Sequence, residues 1–487
     1  MIRRHMLTLG VILEAITNTS AGTYDALPLA HRVITDAVID SRLSIPGCLF
    51  VALPGEKVDG HQFVGDAFQR GAAVALIDRE IPGLETVDLS GGSLETDSLP
   101  QTDPRKPLHL CLRVKNVLQA MQQTAGAWRQ RLSSLRVIGI TGSVGKSTTK
   151  ELTANVLSVR YPTLANESNL NNEIGLPLTL LKVTEAHRSV VLEMGFYVPG
   201  DIAFLCEMAK PQVGVLTMIG PVHLERAGSL EAIVNGKAEL VEALPADGTA
   251  ILNYDDPRVR SMASRTKARI FMYGLSPDAD LWSDHIEGLG LEGVSFDMHY
   301  AGETLHIHLP LLGQHSVHTA MRASAVGLTE GLNWQEILDG LLTPSTQLRL
   351  VAVTGPGNSL LIDDTYNASP DSMIAALNLL AELDGRKVAV LGDMLELGEF
   401  EEMGHRMVGA RAMGVVDLLV AVGEKARWIA EEAHSQGLSS AQIALVGSAA
   451  EALEFLKNRI GEGDVVLVKG SRALSLDEIV LALEVPE

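Results

Sequence analysis

The chain has 487 residues, of which 46% are hydrophobic and 20% are charged, and its formal net charge at pH 7 is −21. At about 150 residues per domain, this length predicts roughly three domains, each able to bury a core. The negative charge excludes the broad basic face of a nucleic-acid-binding protein and disfavours anionic membranes. An anionic substrate would therefore be held locally, by backbone N–H groups, a few cations or metal ions.

The cysteine count and the N-terminus indicate a cytoplasmic protein. Three cysteines without paired spacing favour a reducing compartment over a disulfide framework. The apolar run near the N-terminus contains Glu14 and lacks a small-residue cleavage site, so we interpret it as the first folded element. No segment approaches the roughly 20 apolar residues that a membrane span needs.

Residues 1–132 predict a small α/β domain, because short apolar runs (CLFVAL, AAVALI, LHLCL) alternate with polar turns. Residues 84–107 are rich in Ser, Asp, Gly and Pro, which predicts a surface loop. Helical spacing over residues 116–134 predicts a helix that leads into the next domain.

Residues 133–343 predict a second domain with a mostly parallel sheet. The strand LRVIGI is followed by a glycine-rich turn, and the runs SVVLEM, VGVLTMI and TAILNY alternate with helical stretches. Alternating polarity over 265–312 predicts an antiparallel edge, and SVHTAMRASAVGLTEGL predicts a helix. Residues 344–487 repeat the strand–helix alternation five times, which predicts a doubly wound, Rossmann-like α/β domain.

The most specific motif is GITGSVGKSTTKE, residues 139–151, between a predicted strand and a predicted helix. Its glycines allow backbone N–H groups to approach phosphate oxygens, and the helix N-terminus favours negative charge. Lys146 would reach the terminal phosphates, while Ser147 or Thr148 would hold magnesium. The candidate ATP contacts here are Thr141, Gly142, Ser143, Val144, Gly145, Lys146, Ser147 and Thr148. Gly145 follows Gly139 by six positions instead of the usual five, which disfavours a generic P-loop kinase or GTPase.

The TGSVGKST segment resembles the nucleotide loop of the Mur ligases and folylpolyglutamate synthetases, which join a carboxylate to an amine through an acyl phosphate. The resemblance implies an α/β protein of three domains. These are an N-terminal UDP-binding domain, a central P-loop ATPase-like domain and a C-terminal Rossmann-like domain that closes over ATP. It also implies ATP and Mg²⁺ as cofactors.

Three segments after the loop carry candidate metal ligands. Glu193 ends the strand of VLEMG, at the sheet edge where ligands bind, although a solvated glutamate is the alternative. GPVHLERAGS resembles the Mur ligase segment whose histidine serves a second magnesium, which implies that role for His223. The resemblance implies that Lys237 is a carbamylated lysine. Without the resemblance, the local sequence predicts that Lys237 is a solvated helix residue. The implied metal ligands are Ser147, Glu193, His223 and Lys237 as carbamate, and the implied catalytic residues are Lys146, Glu193, His223 and Lys237.

Other central segments are less decisive. ESNLNNEIGLPLTLL resembles a family segment in which Asn171 and Asn172 would position substrate or a metal-bound water, with helix capping as the alternative. Asn253, in the run TAILNY, is a further expected ATP contact. The chain departs from the family at residues 196–198, Phe-Tyr-Val, and at Thr319, where asparagine is usual, so Tyr197, Val198 and Thr319 receive no role.

The C-terminal segments LIDDTYNASPDSM and VKGSRALSLDEIV also resemble Mur ligases. The resemblance implies ATP contacts by Asp364, Tyr366 and the upstream Arg349. Asn367, Lys469 and Arg472 would bind substrate, the last two by recognising a carboxylate. Without the resemblance, Ser369 is a helix N-cap and the basic residues form an exposed pair. In the N-terminal region, residues 40–77 resemble the family's uridine-binding domain, which implies substrate contacts by Ser41, Arg42, Asp59 and His61.

Within the family, DDTYN and VLGDMLELGE favour the member that adds D-alanyl-D-alanine to a UDP-N-acetylmuramoyl-tripeptide. The alternatives are the member that adds the third residue, a P-loop kinase or GTPase, and a nucleotide-binding regulatory protein without activity. The expected partners are the tripeptide and dipeptide substrates, with no nucleic acid and no integral membrane association, and the expected state is a monomer.

Overall fold

The computed structural model describes residues 6–55, 58–95, 99–100, 107–167, 170–222, 224–343 and 351–485. These residues form three β-sheets of five, nine and six strands with helices packed against them. This arrangement confirms the predicted α/β class with three domains.

The first sheet is parallel throughout, in the order β1-β2-β3-β5-β4. Its strands are β1 Ala37–Val38, β2 Leu49–Val51, β3 Val74–Ile77, β4 Thr86–Asp88 and β5 Leu110–Arg113. Its helices are α1 Leu9–Thr17, α2 Val64–Gln69 and α3 Val117–Arg131. Helix α1 confirms the prediction that the N-terminal apolar run is a folded element.

Strand β4 corrects the prediction that residues 84–107 form only a surface loop. The strand pairs with β5 at the sheet edge, and Val87 is buried there. Three strand residues within a long polar stretch are too few to show a period of two, so tertiary pairing decides the conformation.

The central sheet has the order β14-β13-β12-β11-β10-β9-β6-β8-β7. The pairs from β7 to β12 are parallel, while β12, β13 and β14 are antiparallel neighbours, which confirms the predicted antiparallel edge. The strands are β6 Arg136–Thr141, β7 Thr163–Ala165, β8 Ser189–Glu193, β9 Val213–Leu216, β10 Thr249–Asn253, β11 Arg269–Gly274, β12 Leu281–Gly288, β13 Val294–Tyr300 and β14 Glu303–Leu309. The helices are α4 Lys146–Ser158, α5 Gly175–Lys182, α6 Asp201–Ala209, α7 Leu224–Ala227, α8 Leu230–Glu242, α9 Pro257–Ser261, α10 Ser316–Thr329 and α11 Trp334–Leu341.

Helix α3 joins the first two sheets, as its helical spacing predicted. It packs against α5 and α6, and the Trp128 indole Nε1 donates a 2.8 Å hydrogen bond to the carbonyl of Val183. Trp128 is fully buried, so this contact fixes the helix against the central domain.

The third sheet has the order β15-β16-β20-β17-β18-β19, and every pair except β15–β16 is parallel. This topology confirms the doubly wound prediction and adds the unpredicted edge strand β15. The strands are β15 Val351–Thr354, β16 Leu360–Asp364, β17 Arg386–Gly392, β18 Leu418–Val422, β19 Ile443–Val446 and β20 Asp464–Lys469. The helices are α12 Pro370–Glu382, α13 Glu401–Met413, α14 Arg427–Ser435, α15 Ala449–Leu456 and α16 Asp477–Leu483.

Short 3-10 helices connect several elements, among them Pro28–His31, Ser41–Leu43, Gly60–Phe63, Met262–Arg265, Gly290–Glu292, Pro356–Asn358, Gly398–Phe400, Ser440–Gln442 and Arg472–Leu474. Cys48, Cys111 and Cys206 are all free and buried, in agreement with the prediction of unpaired thiols. No helix among the described residues combines the length and the apolar character that a membrane crossing requires.

Candidate active site

The predicted phosphate loop lies at the carboxyl end of β6, in the middle of the parallel part of the central sheet. Gly142 has φ +146°, and a Cβ there would lie 1.8 Å from Thr217 Oγ1. Gly145 has φ +82° and precedes the first residue of α4. Both positions therefore require glycine. This geometry confirms the predicted order of strand, glycine turn and helix.

Side chains of the loop hold it against the neighbouring strand ends. Thr141 Oγ1 donates to the Met194 carbonyl at 3.0 Å. Ser143 Oγ accepts from the Gly220 N–H at 2.8 Å and lies 2.9 Å from the Gly220 carbonyl. These contacts hold the loop in place at the N-terminus of α4. Val144 and Thr148 are half-buried beside it.

Glu193 ends β8, the strand beside β6, and only 2% of it is exposed. Ser147 Oγ donates to Glu193 Oε2 at 2.5 Å, and Asn171 Nδ2 donates to Oε1 at 2.9 Å. Glu193 is therefore no solvated strand-end residue. Its two carboxylate oxygens and the Ser147 hydroxyl are hard oxygen ligands of the kind Mg²⁺ prefers, so these side chains fit the predicted metal.

Asn166 supports Glu193 and was missed by the sequence reasoning. Its Oδ1 accepts from the Glu193 N–H at 2.9 Å, and its Nδ2 donates to the carbonyls of Leu170 and Glu193 at 2.8 and 3.2 Å. The buried Lys150 donates to the Asn166 carbonyl at 2.5 Å. No sequence signal separates Asn166 from the other asparagines of the stretch 166–172, because its role depends on contacts with a distant strand.

Lys237, in α8, is 1% exposed, which contradicts its alternative interpretation as a solvated helix residue. Its Nζ donates to the Gly142 carbonyl at 2.8 Å, and Lys146 Nζ donates to the same carbonyl at 2.9 Å. Burial, reinforced by the charge of Lys146 and opposed by Glu193, holds the pKa of Lys237 well below its usual range. A neutral amine is the form of lysine that can add carbon dioxide.

Phe196, one of the residues at which the chain departs from the family, has a structural role. Lys237 Nζ lies 4.9 Å from the centre of the Phe196 ring, and a Cβ on Gly236 would lie 2.0 Å from that ring. Phe196 thus fills the space beside the lysine and excludes water from it. The exposed Tyr197 lies under the guanidinium of Arg226, at 5.0 Å from the ring centre.

The two neighbouring asparagines of the NLNNE segment play different parts. Asn171 contacts Glu193, whereas Asn172 Oδ1 accepts from the N–H groups of Ile174 and Gly175 at 3.2 and 2.9 Å. Asn172 therefore orders the start of α5, which was the alternative to a substrate contact.

Both ends of the Asn253 side-chain amide form hydrogen bonds within the protein. Its Nδ2 donates to the Thr217 carbonyl at 3.0 Å, and its Oδ1 accepts from the Asp255 N–H at 3.0 Å. The first of these bonds joins the end of β10 to the residue after β9, near the phosphate loop. The candidate ligands His223 and Arg349 lie outside the described residues.

The C-terminal candidates meet because β16 and β20 are neighbours, with Asp364 opposite Lys469. Lys469 Nζ lies 2.7 Å from Asp364 Oδ2 and donates to the Asn367 carbonyl at 2.9 Å. Only 2% of Lys469 is exposed, so it is not part of an exposed basic pair. Arg472 is exposed and lies 5.7 Å from the ring centre of Tyr366.

The start of α12 brings the C-terminal domain to the phosphate loop. Ser369 Oγ accepts from the Ser372 N–H at 3.4 Å, which confirms the predicted N-cap. In the first turn, Asp371 Oδ2 lies 2.5 Å from where a Cβ on Gly220 would be. Burial raises the pKa of Asp371. Because Gly220 also contacts Ser143, the C-terminal domain reaches the edge of the predicted ATP site.

The N-terminal candidates follow the carboxyl ends of β1 and β2. Ser41 Oγ donates to Asp66 Oδ2 at 2.7 Å, while the exposed Arg42 pairs with Asp40 at 2.6 Å. Asp59 Oδ1 lies 2.7 Å from Nδ1 of His61. His61 is buried, and its burial lowers its pKa. The Arg42 side chain is therefore exposed to solvent, whereas the buried His61 side chain stabilises the conformation of its own loop.

A second group of carboxylates and imidazoles lies on β12–β14, where Asp284 and Asp297 are opposite each other and His285 lies 3.1 Å from both carboxylates. His299 and His306 hydrogen-bond these carboxylates at 2.8 Å. β12 is four strands away from β6, so this group is separate from the phosphate loop.

Family models match all three regions of the chain. Residues 34–128 match the Mur ligase family catalytic domain, residues 140–327 the Mur ligase middle domain, and residues 349–472 the Mur ligase glutamate ligase domain. The chain is 35% identical to the UDP-N-acetylmuramoyl-tripeptide–D-alanyl-D-alanine ligase of Bacillus subtilis strain 168 over 485 residues, which covers 99% of this chain and 98% of that one.

Solved structures agree with the sequence matches. The fold is similar to MurF from Acinetobacter baumannii, with a TM-score of 0.81, 28% identity and 98% of each chain covered. It is also similar to MurF from Thermotoga maritima in complex with ADP, with a TM-score of 0.74, 28% identity, and 92% of this chain and 96% of that chain covered. Together with the loop, the buried carboxylate and the buried lysine, these matches show that this chain belongs to the Mur ligase family.

Proposed function

We propose that this chain ligates D-alanyl-D-alanine to UDP-N-acetylmuramoyl-tripeptide in peptidoglycan synthesis, with hydrolysis of ATP to ADP and phosphate. The observation that carries the proposal is the match, over nearly the whole chain, to a relative named for this reaction. The phosphate loop beside two lysines and a buried carboxylate supplies the chemistry that the reaction needs.

The reaction has two steps. The terminal carboxylate of the tripeptide attacks the γ-phosphorus of ATP, which releases ADP and leaves an acyl phosphate. The amine of D-alanyl-D-alanine then attacks the acyl carbon and releases inorganic phosphate. Lys146 would stabilise charge on the transferred phosphoryl group, and the backbone N–H groups of the loop would hold the nucleotide phosphates.

The metal ligands of this proposal are Ser147, Glu193, His223 and Lys237 as carbamate. Magnesium bound there would neutralise the anions that the first step brings together. Within the chain, Asn171 and Asn166 orient Glu193, and Phe196 keeps water from Lys237. The carbamate assignment is supported by the burial of Lys237 and by its distance of 2.8 Å from the phosphate loop.

The three domains divide the substrates among them in this proposal. Residues 1–132 bind the UDP-muramoyl part through Ser41, Arg42, Asp59 and His61. Residues 133–343 bind ATP. Residues 344–487 bind the dipeptide, with Asn367, Lys469 and Arg472 at the substrate and Asp364, Tyr366 and Arg349 at the nucleotide. Closure of the C-terminal domain would exclude water from the acyl phosphate.

The test supplies the purified full chain with ATP, Mg²⁺, D-alanyl-D-alanine and tripeptides that end in lysine or in diaminopimelate. Mass spectrometry should detect a pentapeptide product from at least one tripeptide, with one phosphate released per amide formed. Lys146→Ala should abolish both products, whereas Lys182→Ala, a substitution on the helix α5, should leave both unchanged.

Three other outcomes would overturn the proposal. Amide formation between a UDP-muramoyl dipeptide and lysine or diaminopimelate would assign the chain to the third-residue ligases. A phosphorylated product without an amide would indicate a kinase. Folded protein that binds ATP but releases no phosphate with any of these substrates would indicate a regulatory protein.

A further inference from the structure

Arg322, in α10, is a buried cation to which the sequence analysis gave no role. Only 5% of the residue is exposed. Its Nη2 donates to Thr319 Oγ1 at 2.7 Å, while its Nε is buried without a hydrogen-bond partner. Among the described residues, no carboxylate forms an ion pair with it. An arginine in this state is costly, because hydrogen bonds to neutral hydroxyl groups replace only part of the hydration that a buried charge loses when no opposite charge lies beside it.

The guanidinium lies directly against the phosphate loop. Its Nη2, Cζ and Nη1 lie 3.1, 3.7 and 3.8 Å from the position that a Cβ on Gly145 would occupy. On another side, Cζ lies 5.9 Å from the ring centre of Tyr273, which is itself fully buried. The arginine is therefore held between the loop and a packed aromatic side chain, and the absence of a side chain at Gly145 leaves room for it.

The electrostatic surroundings make the position of Arg322 more costly still. Gly145 precedes the first turn of α4, so the guanidinium lies beside the positive end of that helix. Lys146 lies at the same loop, where its Nζ donates to the Gly142 carbonyl. Two cations and a helix N-terminus at one loop repel one another, and an anion with several charges would relieve that repulsion.

We propose that Arg322 binds the polyphosphate of ATP, as a second cationic arm opposite Lys146. The inference rests on the proposed function, which places ATP at this loop, and it goes further by naming a residue on α10 that contacts the nucleotide. The planar guanidinium can give two parallel hydrogen bonds to phosphate oxygens, which an ammonium group cannot. Thr319 acts as a positioning residue, because its hydroxyl holds the guanidinium against the loop.

The test compares nucleotide affinity in the full chain and in three variants by calorimetry with ATP, and with AMP, which lacks the β- and γ-phosphates. Arg322→Met keeps the volume but removes the charge, and Arg322→Lys keeps a charge without the planar fork. Thr319→Val keeps Arg322 but removes the hydroxyl that orients it. We expect at least tenfold weaker ATP binding in Arg322→Met, a smaller loss in the other two variants, and less than twofold change for AMP in all three.

Thermal unfolding without nucleotide distinguishes this role from a structural one. Arg322→Met should unfold at the wild-type temperature or above it, because an unpaired buried charge is removed, while the stabilisation by ATP should shrink. If Arg322→Met does not fold, Arg322→Lys and Thr319→Val decide through ATP affinity alone. Wild-type affinity for ATP in the folded variants would overturn the inference about Arg322. A wild-type chain that does not bind ATP would instead overturn the proposed function.

Discussion

Replacement of Lys237 by methionine should separate a catalytic role of this residue from a structural one. Its Nζ makes a hydrogen bond to the Gly142 carbonyl, and the side chain is buried beside Phe196. Loss of that bond costs about 0.5–1.5 kcal/mol of folding free energy, but loss of a buried amine returns a similar desolvation cost. Methionine fills nearly the same volume. The free energy of unfolding should therefore change by about 1 kcal/mol or less.

Ligation by Lys237→Met should fall far more than stability does. If Lys237 holds a metal and the transferring phosphoryl group, its removal should lower kcat by about 10²–10³, or about 2.7–4 kcal/mol of transition-state stabilisation. Phosphate release and pentapeptide formation measure kcat, and urea unfolding measures stability. Lys182→Met, on α5, is the matched control. Partial recovery of Lys237→Ala by formate or acetate would support the carbamate, whereas more than half of wild-type activity in Lys237→Met would refute the argument.

Three further predictions test other parts of the structure. Asp364→Asn should destabilise the C-terminal domain by about 3–5 kcal/mol because it removes the carboxylate that balances the charge of the buried Lys469, and the double variant with Lys469→Met should be less destabilised in urea unfolding. Gly142→Ala should abolish ATP binding in calorimetry, because the new Cβ collides with Thr217 Oγ1; wild-type affinity would contradict the loop geometry. Burial raises the pKa of Cys206 to about 12, so its thiolate fraction at pH 8 is about 10⁻⁴. A thiol reagent should label all three cysteines only after unfolding, and rapid labelling of the native protein would contradict their burial.

The sequence predicts most of the fold because most of the central strands of the parallel sheets are almost entirely buried. A strand covered on both faces is a short continuous apolar run, and runs such as SVVLEM and VAVLG are visible without any alignment. The edge strands were harder to predict. β4 lies within a polar stretch, and β15 is only four residues long and pairs with a single neighbour.

The phosphate loop was predictable because all its determinants are local. A buried strand, two glycines at positive φ and a helix start occupy one short segment. The partners of the loop are not local. Lys237 reaches Gly142 across 95 positions, and Ser147 reaches Glu193 across 46. The periodicity of a sequence indicates only which face of an element is buried. Whether a charged residue such as Lys237 is buried depends on tertiary packing.

Neighbouring residues of the same type show this limit most directly. Asn171 and Asn172 are chemically identical, yet one contacts Glu193 and the other accepts hydrogen bonds from N–H groups at the start of α5. The difference arises because Asn171 lies beside Glu193, 22 positions away in the chain, whereas Asn172 lies beside the N–H groups that follow it. Residue type and spacing alone therefore left both alternatives open.

The overall charge of −21 and the cations around the phosphate loop are consistent with each other. An acidic surface repels polyanions at long range, so a polyanion must be recognised by short contacts that solvent and salt screen little. Lys146 and Arg322 both lie at the loop, and Arg322 is buried against its backbone. Their attraction for phosphate acts mainly inside the site. Selection among anions then depends on fit to the loop, because an anion that cannot reach these buried groups meets only the repulsive exterior.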